Sequence, residues 1–477
     1  MIPLLGYAPD ADPTTPGVLT DCSSLVPFEA GMRGAPVAVS VGYDALAAAC
    51  RGAVSISKLD GTRRLFAGTS AKLYEPSSTT WTDRSRAASY SLGTDDRWSF
   101  VQFADATLAA TPTAVIQRST TGAFADVSGS PQAKIIEAAQ GFAIAFNTST
   151  STDEWYCSAY LNETDWSLSV SNQCVKGRLV GGAGPITAAR RFGDDVIAYK
   201  GGSMFAGRYV GAPEVWRWTQ ISNDVGCVGQ DAVVDTSIGH VFVSRDGVYV
   251  YDGTTPRPLG TGVIRKWLND DMAGIYQFKT QLLWDRAFGL VWIFYAPVGS
   301  SGAVTRCAVY HVPTQRWGLA HQTVQAVLPF TSPNFTYDGG SPIITTYDSG
   351  PTLSFDSLYW VSGAVTPSVV NSSNVVCTLS GISTASSFTT GDFGDDEGYR
   401  LCRNLRVRYT QAPTTSTATG YTKDTAGVTV ATGSSNAQSD GRHNMRQTAR
   451  WHRFKVDTTG DFEVTAVRPE FESRGTR

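Results

Sequence analysis

One phrase recurs down most of this chain. It reads Arg64-Leu65-Phe66-Ala67-Gly68-Thr69-Ser70-Ala71-Lys72-Leu73-Tyr74 near the start and Val241-Phe242-Val243-Ser244-Arg245-Asp246-Gly247-Val248-Tyr249-Val250-Tyr251-Asp252-Gly253 near the middle. Each is an alternating apolar run, a tight polar or glycine turn and a second alternating run, the signature of a β-hairpin. Looser copies centre on Phe103, Ile144, Ile197, Ile293 and Thr345. The centres fall roughly 40–55 residues apart, about the length of a four-stranded propeller blade. A chain patterned this way is restricted to many short strands around turns, and 47 glycines and 22 prolines supply the turns. The expected fold is all-β: a β-propeller with an additional small β-sandwich or barrel and an extended N-terminal arm.

The pattern divides the chain unevenly. Residues 1–50 carry prolines at 3, 9, 13, 16, 27 and 36, which interrupt any helix or central strand, so they read as an extended arm. Residues 51–365 hold the hairpin phrase and read as the propeller. Trp81, Trp98, Trp155, Trp166, Trp216, Trp218, Trp284, Trp292, Trp317 and Trp360 are spread through this stretch, and packing between blades is the expected use of such large flat side chains. Within it, Ile264, Trp267 and Leu268 fall at i, i+3 and i+4 and mark one short helix. Residues 366–448 are rich in Ser, Thr, Ala and Asn and read as an appended or inserted β-sandwich or barrel. Residues 449–477 alternate on both sides of Thr458-Thr459-Gly460-Asp461. They read as a terminal hairpin that closes the propeller and removes its open edge.

The residues that usually carry chemistry form no convincing constellation. Eight cysteines at 22, 50, 157, 174, 227, 307, 377 and 402 show no paired spacing, which argues for free buried thiols over a zinc site. The five histidines are His240, His311, His321, His443 and His452, and only His311 and His321, ten apart, suggest even a weak shared site. Asp95-Asp96 and Asp194-Asp195 are adjacent pairs in turns, where side chains bond to backbone more often than they cleave glycosidic bonds. Gly181-Gly182-Ala183-Gly184-Pro185 leads into a strand and reads as a blade connection. Gly391-Asp392-Phe393-Gly394-Asp395-Asp396-Glu397 lacks the spacing of a full calcium loop. The expectation is therefore no enzymatic activity, no cofactor and no metal.

Charge does not suggest a general nucleic-acid binder, which would usually be basic: the formal net charge is -3 and only 17% of residues are charged. Arginines crowd the last part of the chain. Arg442, Arg446, Arg450, Arg453, Arg474 and Arg477, with Arg468 among them, suggest either salt links or a docking face for an acidic partner or DNA phosphates. The first residues have no basic segment followed by an apolar one, and no run approaches the ~18 apolar residues of a membrane span. Synthesis in the cytoplasm, with no membrane span, is the expectation.

Several of these phrases carry a resemblance. Val241 to Pro258, the helix Ile264-Arg265-Lys266-Trp267, the hairpin Trp284-Asp285-Arg286 to Phe294, and the closing Arg450-Trp451-His452-Arg453-Phe454 through Thr459-Gly460-Asp461 to Gly475-Thr476-Arg477 resemble the tail nozzle proteins of short-tailed phages. These are also called tail hub or packaged-DNA stabilisation proteins. The resemblance covers roughly residues 40–477 and is one of texture and short phrases. It implies a homo-oligomeric ring, six copies around the DNA exit channel of the virion tail. It also implies docking to a tail adaptor below the portal, contact with tail fibres, tailspike or needle, and transient contact with genomic double-stranded DNA. The family supplies no catalytic residue. A neutral or mildly acidic wall would let DNA slide, whereas a basic one would hold it through counterion release. The rival expectation is a carbohydrate-binding or glycan-cleaving propeller, such as a receptor-binding tail protein.

Overall fold

The structure is a computed structural model that describes residues 1–331, 365–424 and 429–474. Among these residues the hairpin phrase builds a β-propeller of seven blades. Five are separate four-stranded antiparallel sheets spanning 52–83, 99–126, 133–178, 186–222 and 233–258. The sixth consists of Gln281–Asp285, Leu290–Tyr295, Val304–His311 and the first half of Arg316–Thr331.

The seventh blade is assembled from distant parts of the chain. The second half of Arg316–Thr331 is its inner strand and pairs with Val365–Asn371, which pairs with Val376–Gly381. The outer strand is Val37–Ser40, with Cys377 opposite Ser40 and Thr378 opposite Val39. An early segment thus completes a late blade and closes the ring, leaving no unpaired partner for Val376–Gly381.

The second strand of a blade lies between neighbouring sheets and so reads as a continuous apolar run instead of an alternating one. Phe142–Thr148 and Leu290–Tyr295 are buried at every position. The blade interfaces follow. Phe66, Leu73, Trp98 and Ala109 join blades one and two, and Phe146, Trp155, Val196 and Trp216 join three and four. Trp292, Val309, Val369 and Leu379 join six and seven. Leu65, Ala326, Leu328 and Val370 join seven back to one. Trp98 shows how closely these faces meet: its indole donates to the Thr69 carbonyl at 2.9 Å, and a Cβ on Gly68 would lie 2.2 Å from its ring.

The second domain is a β-sandwich. One sheet runs Gly6–Tyr7, Val18–Ser23, Ala385–Thr390, Trp451–Thr459, Thr415–Lys423, Val430–Asn436. The other runs Leu25–Phe28, Gly31–Gly34, Glu463–Ser473, Arg400–Gln411, Arg442–Ala449. Phe388, Leu405, Val407, Phe454, Val456, Phe462 and Val464 fill the space between them. The second sheet continues into blade six through the register pair Leu319–Leu25, and one apolar cluster runs from blades four to six into the sandwich. Tyr7 packs edge-on against Trp267 at 5.1 Å. The Asp10 carboxylate accepts from the backbone N–H groups of Lys266 and Trp267 at 2.6 and 3.0 Å, capping the helix Arg265–Asp271 from the other domain.

Three expected boundaries move. Residues 1–50 are not an extended arm lying on the surface: 1–34 supply sandwich strands and 37–40 a blade strand, with Leu19, Leu25, Val26 and Met32 fully buried. Pro3 and Pro27 sit in strands of two and four residues and the other prolines lie between strands, where a missing N–H is tolerated. Residues 366–381 belong to the propeller. Trp451–Thr459 and Glu463–Ser473 do not pair with each other and do not close the propeller. The chain turns a corner at Gly460 and places them in opposite sheets. Phe454 and Val456 on one strand and Val464 and Val467 on the other then meet in the sandwich core. The copy expected around Thr345 and Trp360 lie outside the described residues. All eight cysteines are free and buried. No helix among the described residues is long and apolar enough to cross a membrane.

Candidate functional site: the propeller channel and the arginine face of the sandwich

The seven inner strands run in one direction around a central channel. A cavity of about 510 Å³ lies among them, lined by the apolar side chains Val54, Phe100, Leu283, Trp284, Val327 and Pro329. Its floor is a charged belt to which successive blades contribute. The Arg97 Nε donates to Asp231 at 2.5 Å, one Nη to the Gln281 side chain at 3.0 Å and the other to the Gln325 carbonyl at 3.1 Å. Arg190 lies 4.0 Å from both Glu137 and Asp231. Burial raises the Glu137 carboxyl above its ordinary range, an effect that Arg190 opposes. Two guanidiniums and two carboxylates thus neutralise one another across the channel, tying blades two to seven together.

The remaining candidates have structural partners. Asp195 is held by Arg208 at 2.8 Å, and Asp95 and Asp96 by Lys279 and Lys134 at 3.1 and 3.6 Å. Asp392 takes a bidentate contact from Arg453, Asp395 pairs with Arg400, and Asp396 accepts from the Trp451 indole. His311 stands opposite Arg316 and His321 opposite Arg306, at different points of one strand pair. Among the described residues no three His, Cys, Asp or Glu side chains are placed to hold a metal. Burial lowers the pKa of all five histidines, His240 to about 4. His240 bonds to the Tyr199 hydroxyl at 2.8 Å and to the Arg191 carbonyl at 2.9 Å.

The C-terminal arginines do not form the single cluster their crowding suggests. Arg442 and Arg446 lie on the outer strand of one sandwich sheet, whereas Arg453 lies in the other sheet, bound to Asp392. Arg450 sits between them, 5.2 Å above the Tyr399 ring. Arg474 is exposed, its backbone bonded to Tyr399, and Arg477 lies outside the described residues. The structure joins Arg442 instead to Arg406 and Arg468. Arg406 stands directly opposite Arg442 on one neighbouring strand and Arg468 on the other, so the three occupy one row on the outer face. Arg408, two residues from Arg406, rises on the same side. The sequence carried a signal for this in the alternation Leu405-Arg406-Val407-Arg408, buried on one face and polar on the other.

No protein-family model and no curated protein sequence matches the chain. Among solved structures, a chain of the crystal structure of BBS1N in complex with ARL6DN matches with a TM-score of 0.41 and 11% identity, over 72% of this chain and 97% of that one. A likeness at this level bears on no question of function.

Proposed function

We propose that this chain is a structural subunit of a phage virion tail, the nozzle or hub that forms a ring around the DNA exit channel. It docks on the adaptor below the portal, retains packaged DNA, supports fibres or a needle, and conducts DNA at ejection. It catalyses no reaction. Six copies complete the ring, as in the family whose phrases it resembles. The observation that carries this reading is mechanical. Each domain is completed by strands from both early and late parts of the sequence, and one hydrogen-bonded sheet runs from blade six into the sandwich. A part that holds pressurised DNA benefits from such cross-bracing, because early and late segments of the chain are hydrogen-bonded into the same sheets. The charged belt is consistent with it, since Arg97, Arg190, Glu137 and Asp231 are engaged with one another. Sequencing the DNA that flanks the gene tests this reading. Portal, adaptor and capsid frames alongside are expected, and flanking polysaccharide-utilisation genes would contradict it.

One observation favours a second reading. Glu137, with its raised carboxyl pKa, shares a cavity with Asp231, Asp235 and Trp284, the ingredients of a glycan site with an acid and a base. Titrating a glycan panel against tryptophan fluorescence separates the two. The nozzle reading expects no change. A saturable change that disappears in Trp284→Ala, with hydrolysis lost in Glu137→Gln, would establish the glycan reading.

A further inference from the structure

The arginine row of the sandwich sets three like charges abreast, whereas the opposed pair Arg208 and Arg217 of blade four has a carboxylate for each member, Asp195 and Glu214. Opposed side chains on paired strands lie about 5 Å apart, and like charges there destabilise the sheet. Arg442, Arg406 and Arg468 nevertheless stand abreast on three adjacent strands, with Arg408 on the same face. Internal counter-charge is scarce. Asp440 is shared between Arg406 and Arg442, Glu472 is taken by Arg403, and Glu470 bonds to Asn404. Arg408, Arg446 and Arg468 are exposed and form no ion pair among the described residues. The Arg406 Nε is buried and has no hydrogen-bond partner. Among the described residues Asp440 is the one carboxylate in an ion pair with the row.

We infer that the outer face of the sheet Glu463–Ser473, Arg400–Gln411, Arg442–Ala449 is a docking surface for an acidic protein partner. The argument rests on charge complementarity and on what the arginines stand among. Guanidiniums fixed on a sheet present planar forks suited to carboxylates as well as phosphates. Asp440, Glu470 and Glu472, however, lie on or beside the face. A DNA backbone of uniform charge would be brought against these carboxylates, whereas an acidic protein surface of mixed polarity can place its own basic or neutral groups over them. The chain's net charge of -3 also opposes approach of a polyanion away from this patch. The inference deepens the ring reading and rests on it for the partner's place in the tail: it names the surface by which the subunit would be held to a neighbouring tail component. The charge argument itself stands on the sheet alone.

The test uses the full chain and a fluorescent peptide of alternating glutamate and threonine at low salt, with a short DNA duplex titrated in parallel. One variant carries Arg406→Gln, Arg408→Gln and Arg468→Gln. A control removes the same charge from the propeller with Lys72→Gln, Arg217→Gln and Arg257→Gln. The face variant is expected to lose about tenfold in peptide affinity while the control keeps it. Its thermal midpoint should stay level or rise, because repulsion along the row is relieved. Equal peptide affinity in both variants would overturn the inference. So would tighter binding of the duplex than of the peptide at the same salt, which would make the face a phosphate surface. A lower thermal midpoint in the face variant would show that the arginines serve the fold. Absence of rings on an adaptor, with the peptide result intact, would instead count against the ring reading alone.

Discussion

Burial decides the protonation chemistry of individual residues here. His240 is enclosed between Tyr199 and the Arg191 carbonyl, and desolvation brings its pKa from 6.5 to about 4. The unfolded chain takes up a proton as pH falls through about 6.5, while the folded chain resists until about 4. This site therefore contributes full stability above pH 6.5, and that contribution is lost progressively between the two values. The other four histidines shift in the same direction and steepen the loss. Urea midpoints measured from pH 7.5 to 4 should fall steadily, and His240→Gln should flatten part of the slope. A midpoint independent of pH would contradict the burial. Arg97 makes the corresponding case for the channel. Arg97→Leu leaves Asp231 without its closest partner and should cost about 3 kcal/mol, with most of that recovered in the double variant Arg97→Leu, Asp231→Leu, as read by denaturant unfolding. None of this convergence is legible in the sequence. Arg97, Glu137, Arg190, Asp231, Gln281 and Gln325 are far apart in the chain and meet only because each lies in or just before an inner strand.

The propeller's hairpins were legible because they are local. Each blade from one to six is a run of neighbouring strands, so alternation and turn residues within a short window reveal it, and the helix at Ile264, Trp267 and Leu268 follows from spacing alone. Non-local elements were not legible. Val37–Ser40 has no neighbour in sequence that announces its partner Val376–Gly381. The alternation of Trp451–Thr459 and Glu463–Ser473 is the same whether they form a hairpin or face each other across a sandwich, and only the packing of Phe454 and Val464 decides. Two substitutions test these joints. Val39→Pro removes the N–H that faces Thr378 in the closing strand and should lower stability by about 2–3 kcal/mol, with faster proteolysis around 377–381; an unchanged midpoint would mean that the strand does not close the ring. Asp10→Ala uncaps the helix Arg265–Asp271 and should cost about 1 kcal/mol. Because the cap comes from the sandwich side, it should also increase hydrogen exchange at Lys266 and Trp267.

For the whole molecule, closure and counter-charge point the same way. Seven blades share a channel in which Arg97 and Arg190 are engaged with Glu137 and Asp231, the sandwich is sewn to blade six, and the arginine face carries three like charges abreast. That arrangement suits a part held between neighbours, with its contacts on the outside and its interior braced. The proposed ring rests on a resemblance of phrases alone, since contacts between copies would leave no periodicity within one. Electron microscopy of this chain incubated with the tail adaptor that the proposal expects among its flanking genes tests the central claim most directly. The account predicts a six-fold ring seated on the adaptor around an open axial channel. Adaptor rings that stay bare while the chain binds a glycan would contradict it.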